Sequence, residues 1–248
     1  MKLHTLIWLE GYKQKKGLIW LFLLVIPAGT TMAMFLDFQI RYDYLLDTVR
    51  PGHTSWDLLL MENHRVLGWG MFLPMFVGII YALLYQVEES RNSWKQLLSL
   101  PVRREEFYLA KFVAGWIFSV LLIVLNVSGL ILVGFIMDFP EAMEWKSYSI
   151  YAGKQIVLIL AVAGLHNWLS FSFKNSVIGI VIGFAGVILS SIVIFMFPEW
   201  VKIYPYAYTF FTDGYDGGSI TEMIFNNFIM LGVFFGLGLW QFKRRDVL

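Results

Sequence analysis

Six stretches of this chain, residues 17–36, 66–87, 112–137, 155–173, 175–198 and 223–242, contain no Asp, Glu, Lys or Arg. A bilayer's hydrocarbon core of about 30 Å takes roughly 20 apolar residues as helix, so each stretch predicts a transmembrane helix. The runs are continuous rather than alternating, which excludes a β-barrel. The expected fold is an all-α integral membrane protein, one domain over residues 1–248 with six spans. The third run, about 39 Å at 1.5 Å per residue, must tilt or emerge from the bilayer. Composition agrees: 58% of residues are hydrophobic and 15% charged, against about 45–50% and 25% in soluble domains. That leaves too little charge for a soluble enzyme, a nucleic-acid binder or a disordered chain. With no cysteine there is neither a disulfide framework nor a thiolate metal site.

Orientation follows from where the basic residues fall. With the N-terminus in the cytoplasm, thirteen of the nineteen Lys and Arg lie inside and six outside. Acidic residues divide the other way, six inside and twelve outside, so the formal net charge of +1 is a balance of +7 and −6. Both termini are therefore expected in the cytoplasm. The basic group Lys13, Lys15 and Lys16 before the first run, and Thr31-Met32-Ala33 within it, loosely imitate a secretory signal. The preceding sixteen residues, however, already contain Leu3, Leu6, Ile7, Trp8 and Leu9. They read as an interfacial helix over 2–16 ahead of an uncleaved first span.

The loops are unequal. Residues 172–175 leave room only for a tight turn between the fourth and fifth spans, whereas residues 88–111, EESRNSWKQLLSLPVRREEFYLAK, join the second and third. Within that segment Trp94, Leu97, Leu98 and Leu100 recur at near-helical spacing among charges of both signs. Pro101 stops this short helix, and Arg103–Glu106 begin the next. An apolar ridge with mixed charge suits a protein partner better than anionic lipid alone. Outside, residues 199–222 carry Trp200, Tyr204, Tyr206, Tyr208, Phe210 and Phe211, a composition that suits the headgroup layer or a dip back into the protein, and that favours interfacial anchoring over substrate contact.

Within the spans ionisable groups are nearly absent, and no carboxylate is expected inside the bilayer. His166, beside Asn167, is the one titratable side chain well inside a run, a functional candidate that can equally serve as an interhelical hydrogen bond. Asn126 with Ser128, and Asn226 with Asn227, read as helix-to-helix glue, Gly179/Gly183 and Gly232/Gly236 as close-packing pairs, and Pro74 as a kink. No P-loop G-x-x-x-x-G-K-[ST] or H-E-x-x-H occurs, and the four histidines are scattered. If the chain moves a substrate, the energy must enter from another molecule.

This layout resembles the permeases of the type-2 ABC exporter superfamily: an N-terminal interfacial helix, six spans, a long first cytoplasmic loop and a very short second one. An aromatic stretch before the last span and a basic tail, Phe242-Lys243-Arg244-Arg245, complete it. The length and LLSLPVRREEFYLAK bring it nearest the small bacterial permeases of lantibiotic- and bacitracin-immunity exporters. The resemblance implies a separate cytoplasmic ABC ATPase that binds ATP and Mg, with no cofactor in this chain. It also implies a second permease, identical or paralogous, and no nucleic acid. The loop between the second and third spans would be the coupling helix, its role falling on Glu88, Glu89, Arg91, Trp94, Lys95, Leu97, Leu98, Arg103 and Arg104. The implied activity is ATP-driven export of an amphipathic peptide or antibiotic, and the acidic outer loop would suit a cationic one. Two other classes are a membrane-embedded protease and an immunity protein that acts without ATP. Against the protease, Glu88-Glu89 is followed by Ser93 where its Glu-Glu-x-x-x-Arg motif needs arginine.

Overall fold

The structure, a computed structural model, describes residues 2–47, 53–90, 103–173, 175–214 and 220–244. Among these residues every regular element is helical. Helix α1 (Leu3–Lys13) ends in a 3-10 turn and leads into α2 (Leu18–Asp47). A short α3 (Ser55–Met61) runs through a π turn at Glu62–Val66 before α4 (Trp69–Ser90). Then come α5 (Arg104–Ile136), α6 (Trp145–Leu158), α7 (Leu160–Ser172) and α8 (Ser176–Met196). Two 3-10 turns, Pro198–Ile203 and Pro205–Phe211, precede α9 (Ile220–Arg244). With α6 and α7 counted as one bent segment, six helices are long and apolar enough to cross a membrane, as expected. The chain is a multi-pass membrane protein.

Differences from the sequence reading lie at the ends of the spans. α2 continues past Leu36 to Asp47, with a kink where Arg41 takes φ −113° and ψ 15°. α3 is an unforeseen helix, started by a capping box in which the Thr54 side chain accepts from the Asp57 N–H and the Asp57 carboxylate accepts from the Thr54 N–H. The fourth span starts at Trp145, ten residues before the charge-free run. It can do so because Tyr148 and Tyr151 are buried on one face.

α4 is the axis of the bundle. Its most apolar window is 61% buried, against 22% for α2 and 17% for α9, which leave most of their surface uncovered by the described residues. It packs against α5, α7, α8 and the second 3-10 turn, and glycines make that approach possible. A methyl group on Gly78 would lie 2.5 Å from the His166 ring, and one on Gly70 would lie 2.2 Å from the His64 ring. Gly179 and Gly183 of α8 similarly face Ala82 and Met75 of α4, whereas Gly232 and Gly236 meet nothing within 4 Å and pack no helix of this chain.

Two breaks in helical hydrogen bonding are repaired by a side chain, as a site where lipid offers no substitute for water requires. Where α6 gives way to α7, Asn227 of α9 accepts from the Ala161 N–H at 3.1 Å and donates to the Val157 carbonyl at 2.9 Å. Pro74 has no N–H for the Gly70 carbonyl, which instead receives the Thr209 hydroxyl at 2.6 Å. Thr209 belongs to the aromatic segment, and its position there selects the dip back into the protein over the headgroup anchor. Tyr206, Tyr208, Thr209 and Phe210 are buried against the bundle, and only Trp200 of the six aromatics is strongly exposed. The Tyr206 ring sits in the gap left by Gly186, so the segment folds inward as a plug.

Replacing Thr209 by Val keeps its shape and removes the only hydroxyl on the Gly70 carbonyl. We expect a loss of about 1–3 kcal/mol, the cost of a buried unsatisfied acceptor. Thermal unfolding in detergent should show a lower midpoint for Thr209→Val and a near-parental one for Thr209→Ser; equal midpoints for both would mean the carbonyl needs no donor.

Candidate functional site

The segment expected to meet a partner joins α4 to α5, and its root is built from four ionisable side chains. On α1, Glu10 and Lys13 stand three residues apart and so share one face. Glu88 is in the last turn of α4, and Lys111 is two turns into α5. They form a closed ring of alternating charge. Lys13 Nζ lies 2.5 Å from Glu10 Oε1 and 3.0 Å from Glu88 Oε1. Lys111 Nζ lies 2.7 Å from Glu10 Oε2 and 2.6 Å from Glu88 Oε2. All four carboxylate oxygens therefore lie within ion-pair distance of an ammonium, although the Glu10 Oε2 contact with Lys111 lacks hydrogen-bond geometry. Lys111 also donates to the Leu84 carbonyl at 3.2 Å, near the negative end of the α4 dipole. Its Nζ lies 4.8 Å from the centre of the Tyr85 ring.

The ring is almost dry: Lys111 is 0% exposed, Glu88 1% and Glu10 2%, while the Lys13 side chain keeps 24%. Burying a single charge costs several kcal/mol, so such groups persist only when saturated by partners. Burial alone would raise the Glu10 carboxyl, but the Lys111 and Lys13 ammonium groups outweigh it and hold its pKa below the ordinary value. Burial alone would lower Lys13, yet Glu10 and Glu88 outweigh it and raise its pKa.

This placement changes the reading of two residues. The connection drawn over residues 88–111 is shorter than its charges suggested: α4 continues to Ser90, and α5 begins at Arg104, where the next helix was expected, so Glu88 and Lys111 are both helical and interior. Two carboxylates, Glu10 and Glu88, are thus enclosed by protein at this end of the bundle. Glu88 points at the ring instead of outward, while Glu89 is half-buried. Arg103 is exposed at the N-cap of α5. Arg104 donates to the Lys243 carbonyl at 2.9 Å, and Glu105 pairs with the Lys243 ammonium at 2.7 Å, tying the start of α5 to the end of α9. Arg91, Trp94, Lys95, Leu97 and Leu98, and the short helix expected there, lie outside the described residues. Glu10 and Lys13 were not singled out from sequence; a Glu-x-x-Lys pair within an otherwise apolar helix was the available signal.

The three intramembrane polar residues, all 0% exposed, act as pins between helices. Asn126 of α5 donates to Thr30 of α2 at 2.9 Å and exchanges hydrogen bonds with Asn63 of the π turn at 3.3 and 3.4 Å. His166 Nε2 meets the Tyr206 hydroxyl at 2.5 Å. Asn167 accepts from the Tyr85 hydroxyl at 3.0 Å, the same tyrosine whose ring carries Lys111. A further buried histidine, His64, bridges the Phe210 carbonyl at 2.9 Å and the Tyr151 hydroxyl at 3.0 Å. The carbonyl requires a donor at Nε2, and burial lowers the pKa of the ring, which favours the neutral form with Nδ1 accepting from the Tyr151 hydroxyl.

Two hollows lie away from the loop root. An apolar groove of about 470 Å³ opens sideways between α2 and α5, lined by residues such as Leu24, Pro27, Met32, Phe35 and Ile136. At the end opposite α1, a cavity of about 460 Å³ is lined by His53, Asp57, Tyr151, Lys154 and Asp213 among others. Compared with known proteins, residues 6–190 match the model of a family described as ABC-2 family transporter protein. No curated protein matches the chain.

The ring carries its own pH signature. A depressed Glu10 contributes stability that is complete above the ordinary 4.5 of a glutamate and is lost as pH falls further. A raised Lys13 contributes stability that is complete below the ordinary 10.5 of a lysine and is lost as pH rises further. A fluorophore on Tyr12→Cys, in a chain with no other cysteine, should report docked α1 from about pH 5 to pH 10 and release only outside that window. A transition between pH 6 and 8 would contradict the assigned ion pairs.

Proposed function

The chain belongs to the ABC-2 family of transporter proteins, and from that premise we propose that it is the transmembrane subunit of an ATP-driven exporter. The family match carries this reading, since it runs from α1 into α8 and spans the whole region around the loop root. The ATP and Mg belong to a separate cytoplasmic ATPase, and a second permease, identical or paralogous, completes the transport path. The excess of Lys and Arg at the α1 end supports placing both termini in the cytoplasm of a bacterium. That orientation directs the α4–α5 loop toward the ATPase, with Arg91, Trp94, Lys95, Leu97, Leu98, Arg103 and Arg104 as the contact surface. Glu88 supports that surface from behind.

The cycle we propose is alternating access: closure of the ATPases on ATP pushes the loops, and the spans rearrange between two packings. The apolar groove between α2 and α5 supports an amphipathic substrate taken from the inner side or the bilayer, in keeping with a peptide antibiotic. A membrane-embedded hydrolase is a poorer fit. Glu10 and Glu88 have every carboxylate oxygen paired with lysine, which leaves neither as a base for water.

The partner contact has a direct test. Leu97→Asp with Leu98→Asp should abolish co-purification with the ATPase subunit, while membrane insertion and yield stay parental. Retained pairing in that double variant would refute the loop as the docking element.

A further inference from the structure

The ring of Glu10, Lys13, Glu88 and Lys111 joins three separate pieces of backbone: α1, the end of α4 and the start of α5. Those last two pieces are the two ends of the loop. Pressing on a loop held only by its ends would bend one helix against the other and lose the displacement locally. Coupling over distance needs an element that stays rigid while it moves. Apolar contacts tolerate sliding and repacking, because dispersion and burial are non-directional. A nearly dry ion ring resists both, since displacing any one member strips its two opposite neighbours of one of their two partners in a site that offers little water in exchange.

The other face of α1 supplies an independent observation. Trp8 and Tyr12 are 64% and 58% exposed and stacked with ring centroids 5.3 Å apart. Lys15 Nζ lies 5.9 Å from the Tyr12 ring. An aromatic pair with a lysine at its end is the chemistry of the headgroup layer. α1 is thus held by its interior face to the loop root and suited by its exposed face to the bilayer surface.

We infer that the four-charge ring is a clamp that makes α1 and both ends of the α4–α5 loop one rigid body, with α1 as the fulcrum that passes loop movement into α4 and α5. The four are positioning residues: they touch neither substrate nor ATP. The inference rests on the reading of the chain as an ATPase-driven permease. It explains why charge is kept at a site where an apolar contact would hold the helices together just as well. The brace between α5 and α9 cannot substitute, because Lys243 and Glu105 keep 49% and 45% exposure and such pairs contribute little.

The test uses the permease with its ATPase in nanodiscs of phosphatidylethanolamine and phosphatidylglycerol, with spin labels on cysteines introduced into a chain that has none. Labels at His4 and Ile117 read α1 against α5; labels at Tyr44 and Trp145 read movement at the opposite end. In the parent, the first distance should be narrow with or without ATP and the second should shift on ATP. Lys111→Met should broaden the first and abolish the second, while ATP hydrolysis remains within about twofold of parental, a loss of coupling rather than of assembly. Lys111→Arg should restore both. Where Lys111→Met does not assemble, Lys13→Met, at the wetter corner, gives the same readouts. A narrow first distance and a preserved shift in the assembled Met variant would overturn the clamp. If the parent fails to bind any ATPase, the proposed function falls instead, and the His4–Ile117 distance in the permease alone still decides whether the ring holds α1 rigid.

Discussion

Inside a bilayer a polar atom has no water to fall back on, and this constraint accounts for the irregular features of the fold. Two places where the helical ladder stops have a side chain from another element in the gap: Asn227 at the α6–α7 break, Thr209 at the carbonyl freed by Pro74. The repairs come from residues distant in sequence, so they also fix which helices are neighbours. The aromatic segment after α8 is held inside for this reason as much as for its rings. Thr209, Tyr206 and the Phe210 carbonyl bond respectively to Gly70, His166 and His64, and so lock the plug to α4, α7 and the π turn.

The same constraint treats charge more severely, and the two ends of the bundle answer it differently. At the end opposite α1, pairs stay at least partly wet: Arg41 bridges Asp37 and Glu62 with 38% of its side chain exposed, and Arg65 pairs with Asp213. At the α1 end, Lys111 and Glu88 are almost fully enclosed. A closed ring with every oxygen engaged is the form in which two carboxylates and two ammonium groups can be held in such a place. Its extension through Tyr85 to Asn167 brings α7 into the same polar chain.

Much of this was legible in sequence because lipid imposes a simple rule. Six apolar runs had to be spans, and Asn126, Asn227 and the glycine pair of α8 did prove to be packing devices. What could not be read was how far each helix extends past its apolar run. Hydropathy takes the first charge as the boundary, so Glu88 looked like the edge of a surface loop and Lys111 like a charge on the cytoplasmic face. Their burial depends on Glu10 and Lys13, which arrive from α1 some 75 residues away in the chain. Likewise Tyr206 and Phe210 have the composition of a headgroup belt, and only Gly186, Gly78 and Gly70, on other elements, reveal the slots that draw this segment and its histidine partners inward. Residue type states what a side chain tolerates; the partner that decides the outcome is non-local.

The ring also bears on the charge balance that orients the chain. Lys13, Lys111, Glu10 and Glu88 all count toward the α1 end, and they neutralise one another in a nearly dry interior. Without them that end keeps eleven basic and four acidic residues, and its excess remains +7. The groups that make the chain positive on one side are therefore not those that clamp the loop root. A positive-inside bias depends on Lys and Arg that translocate poorly from near the span ends, whereas the clamp depends on charges that cancel. Because the two sets are separate, the ring can be altered without moving the orientation signal: a Lys111→Met change lowers the excess by one and leaves its sign intact.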